Sequence, residues 1–468
     1  MQDLSSNEPT GKKPGIGNRI LRIFSDVRPG ESITVLILLF DIFLLLLGYY
    51  IIKVVREPLV LVSAEKDLQI FLTTDIPQWL INILKVQRGP QLKAAAAACQ
   101  AVLLIGFIPL YCWFASKVKR LYLLIGVTGF FISNIVIFYI LSLAGVPFLG
   151  FIFYVWVGLF NVSMIAQFWS FANDIYSKKE GNRLFPIIAI GATAGAPIGS
   201  RVADQLKEWP AFQTILLTAF ILLIYLGLSL VAHFRETHRN QKIPEVSVSK
   251  EAALKKGNGF ALIFRNPYII LIAFLILVLN LVNTSGEFML SDVVVGMAKV
   301  ASPDSMGAWI QGFYADFNFW VSIIAFLLQA LLVSRIVKYT GLKGVVLILP
   351  IVAFGVYGLF ALGAGFAIIR WSKTAENSTD YSIMNTGKAM LWLPTTREEK
   401  YKAKQTVDTF FVRFGDLAAA IIFIVATTVL SFGIREIAGI NLIMVVVWLF
   451  LTFSVLKKHD KLVNQKAK

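Results

Sequence analysis

Lys53, Arg56 and Glu57 stand in the stretch GYYIIKVVREPLVL, at the far end of an apolar run that begins near Ile33. A charge placed in hydrocarbon costs several kcal/mol even on lenient scales, so such residues usually face a bundle interior or an aqueous cavity. Lys53 and Glu57 are one helical turn apart, with Arg56 on nearly the same face. Two cations beside one acid can bind an anion: both give charge-assisted hydrogen bonds, and a guanidinium grips phosphate in two-pronged fashion. The competing reading of the trio is a structural ion pair, or side chains snorkelling to the interface.

Further polar residues recur inside apolar stretches. Asn280, Asn283 and Glu287 share a helical face and could hydrogen-bond a base, a sugar or an ion. The stretch AIIRWSKTAENSTDYSIMNTGKAMLWL carries Arg370, Lys373, Glu376, Asn377, Asp380, Tyr381 and Asn385 at three- and four-residue intervals. Lipid cannot solvate such a face, so if the stretch spans, it lines water or another polar face. In QTVDTFFVRFGDLAAA, Arg413 and Asp416 are three apart and are expected to pair, with Asp408 upstream. NVSMIAQFWSFAND offers Asn161, Gln167, Trp169, Asn173 and Asp174. Its rings could stack on a planar ligand, although packing is the commoner fate of Phe and Trp. Asp41 has apolar residues on both sides and reads equally as a proton or sodium site or as a partner across helices. Arg201 and Asp204 read as a local ion pair.

These residues need a scaffold that holds charge away from lipid. At 57% hydrophobic and 15% charged residues, the composition excludes an ordinary water-soluble globule. Apolar runs long enough to cross a bilayer fall at about 33–61, 94–115, 121–143, 148–172, 185–206, 212–234, 268–290, 309–334, 342–365, 367–391, 405–432 and 437–456. The fold class expected is an all-α polytopic membrane protein: twelve transmembrane helices in two six-helix bundles, major-facilitator-like. Residues 1–32 form a segment before the first bundle (33–234), 235–267 a basic linker, 268–456 the second bundle and 457–468 a tail. Residues 1–16 read as disordered, 18–27 as a short interfacial helix, and part of 62–93 as another. In IAIGATAGAPIGSRVAD, Gly191, Gly195 and Gly199 make a small-residue stripe for close helix packing. In a two-bundle protein it is expected to be a surface on which the halves rock.

The net charge of +16 is topology rather than a nucleic-acid surface. Lys and Arg concentrate in both terminal segments and in alternate loops, which places those on the cytoplasmic side of a bacterial inner membrane. Those left inside spans are Lys53, Arg56, Arg201, Arg370, Lys373, Lys388 and Arg413. Cys99 and Cys112 share one helix and suggest neither disulfide nor metal. There is no cleavable signal pattern before the first span. No phosphate loop and no His-Glu-x-x-His occurs, and His233, His238 and His459 lie near cytoplasmic ends, so neither enzyme chemistry nor a cofactor is expected.

Four segments resemble the ATP/ADP translocase family of nucleotide transporters, the non-mitochondrial carriers of plastids and intracellular bacteria, in its bacterial branch. They are DVRPGE (26–31), YYIIKVVREPLVL (49–61), FWSFANDIYSKKEGNRLFPIIAIGATAGAPIGS (168–200) and PTTREEKYKAKQTVDTFFVRFGD (394–416), in the same order and in both halves. The resemblance implies a major-facilitator-like fold and nucleotide exchange or import. Its basic residue in the first helix falls on Arg56. Its acid in the fourth helix falls on Val157, that of the seventh on Asn283, with Glu287 one turn away, and its eleventh-helix lysine falls on Asp416. Only one of these four charged positions is kept.

The expectation is therefore a transporter of an anionic nucleotide working by alternating access. Phosphates would meet Lys53 and Arg56, with Arg370, Lys373 or Arg413. Base and ribose would meet Asn161, Trp169, Asn280 and Asn283. Glu57, Glu287 and Asp416 would pair those cations in the empty site or bind a coupling proton; Asp380 is a further candidate in the substrate site, and proton or sodium is the coupling ion expected. The alternatives are a proton-coupled carrier of another organic anion, and a non-transporting receptor or assembly subunit on the same scaffold.

Overall fold

The computed structural model describes residues 31–62, 89–115, 117–176, 178–240 and 259–467. The expectations for 1–16, for the helix at 18–27, for most of the first loop and for most of the central linker lie outside them. The first six helices are α1 Ser32–Leu61, α2 Gly89–Ala115, α3 Arg120–Leu143, α4 Leu149–Ile175, α5 Lys178–Gln205 and α6 Ala211–Asn240. After a short helix, Gly259–Arg265, come α7 Pro267–Ala301 and α8, which begins as Met306–Leu327 and continues through a π-turn. The helical run Ser334–Ala361 is broken at Gly341, whose φ of 62° suits glycine; residues before it complete α8 and those after it form α9. α10 runs from Phe366 to Leu391 around a π-turn at Asp380–Met384, α11 from Glu399 to Val429, and α12 is Ile434–Ala467. The described residues contain no strand.

Apolar length dictates these helices, since a lipid-embedded backbone must satisfy its own hydrogen bonds. Ten helical stretches are long and apolar enough to cross a membrane, one of them the joined α8–α9 run. Only α10 falls short, because of its polar face. The helices match the expected spans, with two informative extensions. α2 begins at Gly89 rather than 94, and α7 runs to Ala301 rather than 290. In both cases the hydropathy signal stops at a charged or polar residue that the structure keeps inside the helix.

Packing repeats between the two sets of six. α1 lies against α5 and α6 as α7 lies against α11 and α12, and α3–α6 is echoed by α9–α12. The sets meet chiefly through α2 on α11 and α5 on α8. The glycine stripe of α5 seats on α1: a Cβ at Gly191, Gly195 or Gly199 would run into the carbonyl oxygens of Leu39, Phe43 or Leu47. The stripe thus closes a seam inside the first set, correcting its expected place between the halves. Small residues were legible, but the partner they admit was not. An aromatic block of Phe131, Phe138, Phe153, Trp156 and Phe160, with centroid spacings of 5.2–5.6 Å, locks α3 to α4.

Candidate functional site

Between the two sets lies a cavity of about 190 Å³ whose lining comes from α1, α2, α4, α7, α8, α10 and α11. It is smaller than the roughly 300–1,000 Å³ pockets that hold drug-sized ligands. Six charged side chains line it: Lys53, Arg56, Glu57, Lys93, Glu287 and Asp416. The opening trio of the sequence therefore faces this interior and not the lipid.

The arrangement around Glu57 is tight. Glu57 is 4% exposed, and its carboxylate lies 3.1 Å from Arg56 Nε and 2.7 Å from Lys93 Nζ. Lys93 also donates to Ser291 Oγ on α7 at 2.7 Å and lies over the Tyr314 ring of α8 at 5.1 Å. It thus ties both sets of helices to one acid. The Arg56 guanidinium stacks over the Tyr154 ring of α4 at 4.3 Å. Lys53, by contrast, has no carboxylate within 4.0 Å among the described residues; its ammonium lies 4.8 Å from the Tyr50 ring centre.

Glu287 enters from α7 as the counterpart of Glu57 on α1. It accepts from Asn377 Nδ2 at 2.8 Å and lies 3.7 Å from Lys373. Lys373 is fully buried behind it, donating to Glu376 at 2.8 Å and Asn283 at 3.3 Å. Gly286 makes this possible, because a Cβ there would collide with the Tyr357 hydroxyl and Lys373 Nζ. Asn283 in turn donates to Asp380 at 3.3 Å, which Lys388 approaches at 3.4 Å. Arg413 and Asp416 do pair, at 2.9 Å, and Thr284 donates to Asp416 at 2.7 Å.

The remaining sequence candidates sit elsewhere. Arg370 pairs with Asp316 on α8, which also takes Arg201 of α5 at 3.0 Å. Arg201 is 3.8 Å from Asp204, so the expected local pair is one edge of a three-helix cluster. Asn280 donates to its own helix at Ile276. Trp169 packs edge-on against Phe168 and Phe185. Asn161 is not in the lining, and its carbonyl oxygen is buried without a partner among the described residues. Asp41 is fully buried and accepts from Ser229 on α6 at 2.6 Å, a partner across helices.

Lys93, Gln100, Tyr154, Tyr314, Phe317 and Asn318 also line the cavity, and reading the sequence for charge inside spans did not single them out. Lys93 follows a Gly-Pro pair and precedes five alanines, which reads as a loop end. Its neighbours Gly89 and Pro90 are buried, and that is visible only once α2 is packed against α1.

A two-set helix bundle with a charged central cavity is the form of a major-facilitator-type membrane transporter. A nucleoside transporter structure, NupG, superposes with a TM-score of 0.60 over 89% of this chain and 98% of its own, at 13% identity, which fixes the fold alone. The model of the TLC ATP/ADP transporter family matches residues 138–375 and 361–459, and the chain belongs to that family. ADP,ATP carrier protein 1 of Chlamydia pneumoniae is 22% identical over 366 residues, 66% of this chain and 68% of its own. Its namesake from Rickettsia bellii is 23% identical over 364 residues, 68% and 70% of the two chains. Two further chlamydial carriers are matched over 57% of their length.

Proposed function

We propose that this protein is a non-enzymatic secondary transporter that moves a nucleotide across a bacterial inner membrane by alternating access. The central cavity is its substrate site, and helices α1–α6 and α7–α12 are its two moving halves. Both termini lie on the cytoplasmic side, which makes the Leu61 end of α1 the outer one. One observation carries the reading: in a chain of this family, Lys53 is a cation inside the bundle, beside Arg56 and Lys93, with no carboxylate within 4.0 Å among the described residues. An ammonium kept from both lipid and a counter-ion is stabilised by an anion arriving from water. Phosphate meets Lys53 and Arg56 first, and the rings of Tyr154, Tyr314 and Phe317 offer faces for a base. Asp41 is the position at which a coupling proton would be held.

Purified protein should be stabilised against heat by adenine nucleotides, and Lys53→Ala should remove that stabilisation while leaving the unliganded protein folded. Unchanged stabilisation in the variant would take Lys53 out of the site. Stabilisation only by non-nucleotide organic anions would favour the anion-carrier alternative. None by any solute, together with no uptake into proteoliposomes, would favour a receptor or assembly subunit.

A further inference from the structure

The charge inventory of the cavity carries a statement about substrate class, which rests on the nucleotide reading above. Every cation in and directly behind the lining except Lys53 has a carboxylate partner among the described residues, though not each its own. Arg56 and Lys93 share Glu57, Lys373 lies between Glu376 and Glu287, Arg413 holds Asp416 and Lys388 holds Asp380. Among the described residues of the lining and the layer paired with it, six cations, counting Lys53, meet five carboxylates, and Lys53 is the cation with no carboxylate within 4.0 Å. The next charges, Arg201, Arg370 and Lys207 with Asp204 and Asp316, pair among themselves outside the cavity lining.

We infer that this site selects a nucleotide carrying a single phosphate over di- and triphosphates. A monophosphate ester brings about −1.5 to −2 charges at neutral pH, close to what Lys53 and a partial share of Arg56 can neutralise. Each further phosphoryl group brings an anion into a space that already holds Glu57, Glu287 and Asp416 and contains no second free cation among the described residues. Like charges in a desolvated site repel strongly, and a charge buried there without a partner is destabilising. Recognition then turns on Lys53 reaching the phosphate, while the acid-bound cations act as a neutral wall.

The test is competition by AMP, ADP, ATP and adenosine, in chelator without magnesium, against labelled AMP on purified protein in lipid nanodiscs. AMP should compete at least about tenfold better than ATP, roughly 1.4 kcal/mol, with ADP between and adenosine weak. Asp416→Asn and, separately, Glu57→Gln each remove one negative charge and should narrow the AMP-to-ATP ratio several-fold. ATP binding as tightly as AMP, or adenosine matching AMP, would overturn the inference while leaving a nucleotide site in place. Failure of every nucleotide to bind would overturn the proposed function itself. Should either variant fail to fold, the wild-type ranking alone decides.

Discussion

Lys53 and Lys93 stand in one cavity, yet their surroundings give them opposite roles. Lys93 is locked to Glu57, Ser291 and Tyr314. Removing one partner of a buried ion pair leaves an uncompensated charge and typically costs about 3–5 kcal/mol. Lys93→Ala, which leaves Glu57 to Arg56 alone, should lower the unfolding midpoint, and the double variant with Glu57→Ala should lose less than the two singles combined. A thermal melt of the two singles and the double, read as a mutant cycle, checks this; additive losses would mean the pair is not coupled. Lys53→Ala breaks no pair and should melt near the parent. Sequence made the first of these lysines conspicuous and hid the second. Lys53 interrupts an apolar run, whereas Lys93 sits where the run has not yet begun, and only the packed carboxylate explains why it is buried.

At the scale of the helix, two features decide whether the site forms. The α5 stripe brings its backbone onto α1, so any side chain at Gly195 must displace the carbonyl of Phe43 and the amide of Leu47. Overfilling a packed seam usually costs about 1–3 kcal/mol or more. Gly195→Leu should cut the yield of monodisperse protein sharply, whereas Gly106→Leu, where a Cβ meets nothing within 4 Å, should not. Equal yields of the two by size-exclusion chromatography would contradict the seam. The second feature is α10, too polar to register as a span, whose Asn377 and Tyr381 reach the cavity while Lys373 pairs with Glu376 and Asp380 with Lys388. The residue pattern of α10 was readable because three- and four-residue spacing survives a polar composition. Which of its charges face the ligand was not, since Arg370 and Lys373 differ only in the helices they meet.

For the whole molecule, hydropathy and loop charge were enough to reach twelve helices, because a bilayer leaves few other ways to satisfy a backbone. The meeting of the two sets was beyond them. It depends on long-range pairs such as Gln311 with the Ala203 carbonyl at 2.8 Å and Asp316 with Arg201, which no local pattern encodes. These ties join α5 to α8 toward the Leu61 end, where rocking halves must part. Cysteines at Arg201 and Asp316, with Cys99 and Cys112 replaced by serine, should let a short bifunctional thiol reagent halt uptake into proteoliposomes. Uptake that continues at full rate after cross-linking would mean that this seam stays shut throughout the cycle.

The Lys53 ammonium, without a carboxylate partner among the described residues, also has an electrical consequence. A carrier that reorients empty takes this uncancelled charge through part of the bilayer's field, whereas one that reorients loaded takes the cargo's anion with it. Each elementary charge crossing the full field is worth about 2.3 kcal/mol per 100 mV, so the membrane voltage weighs differently on the two legs of the cycle. In a carrier that reorients empty, a potential negative inside would favour the vacant form that faces the cytoplasm.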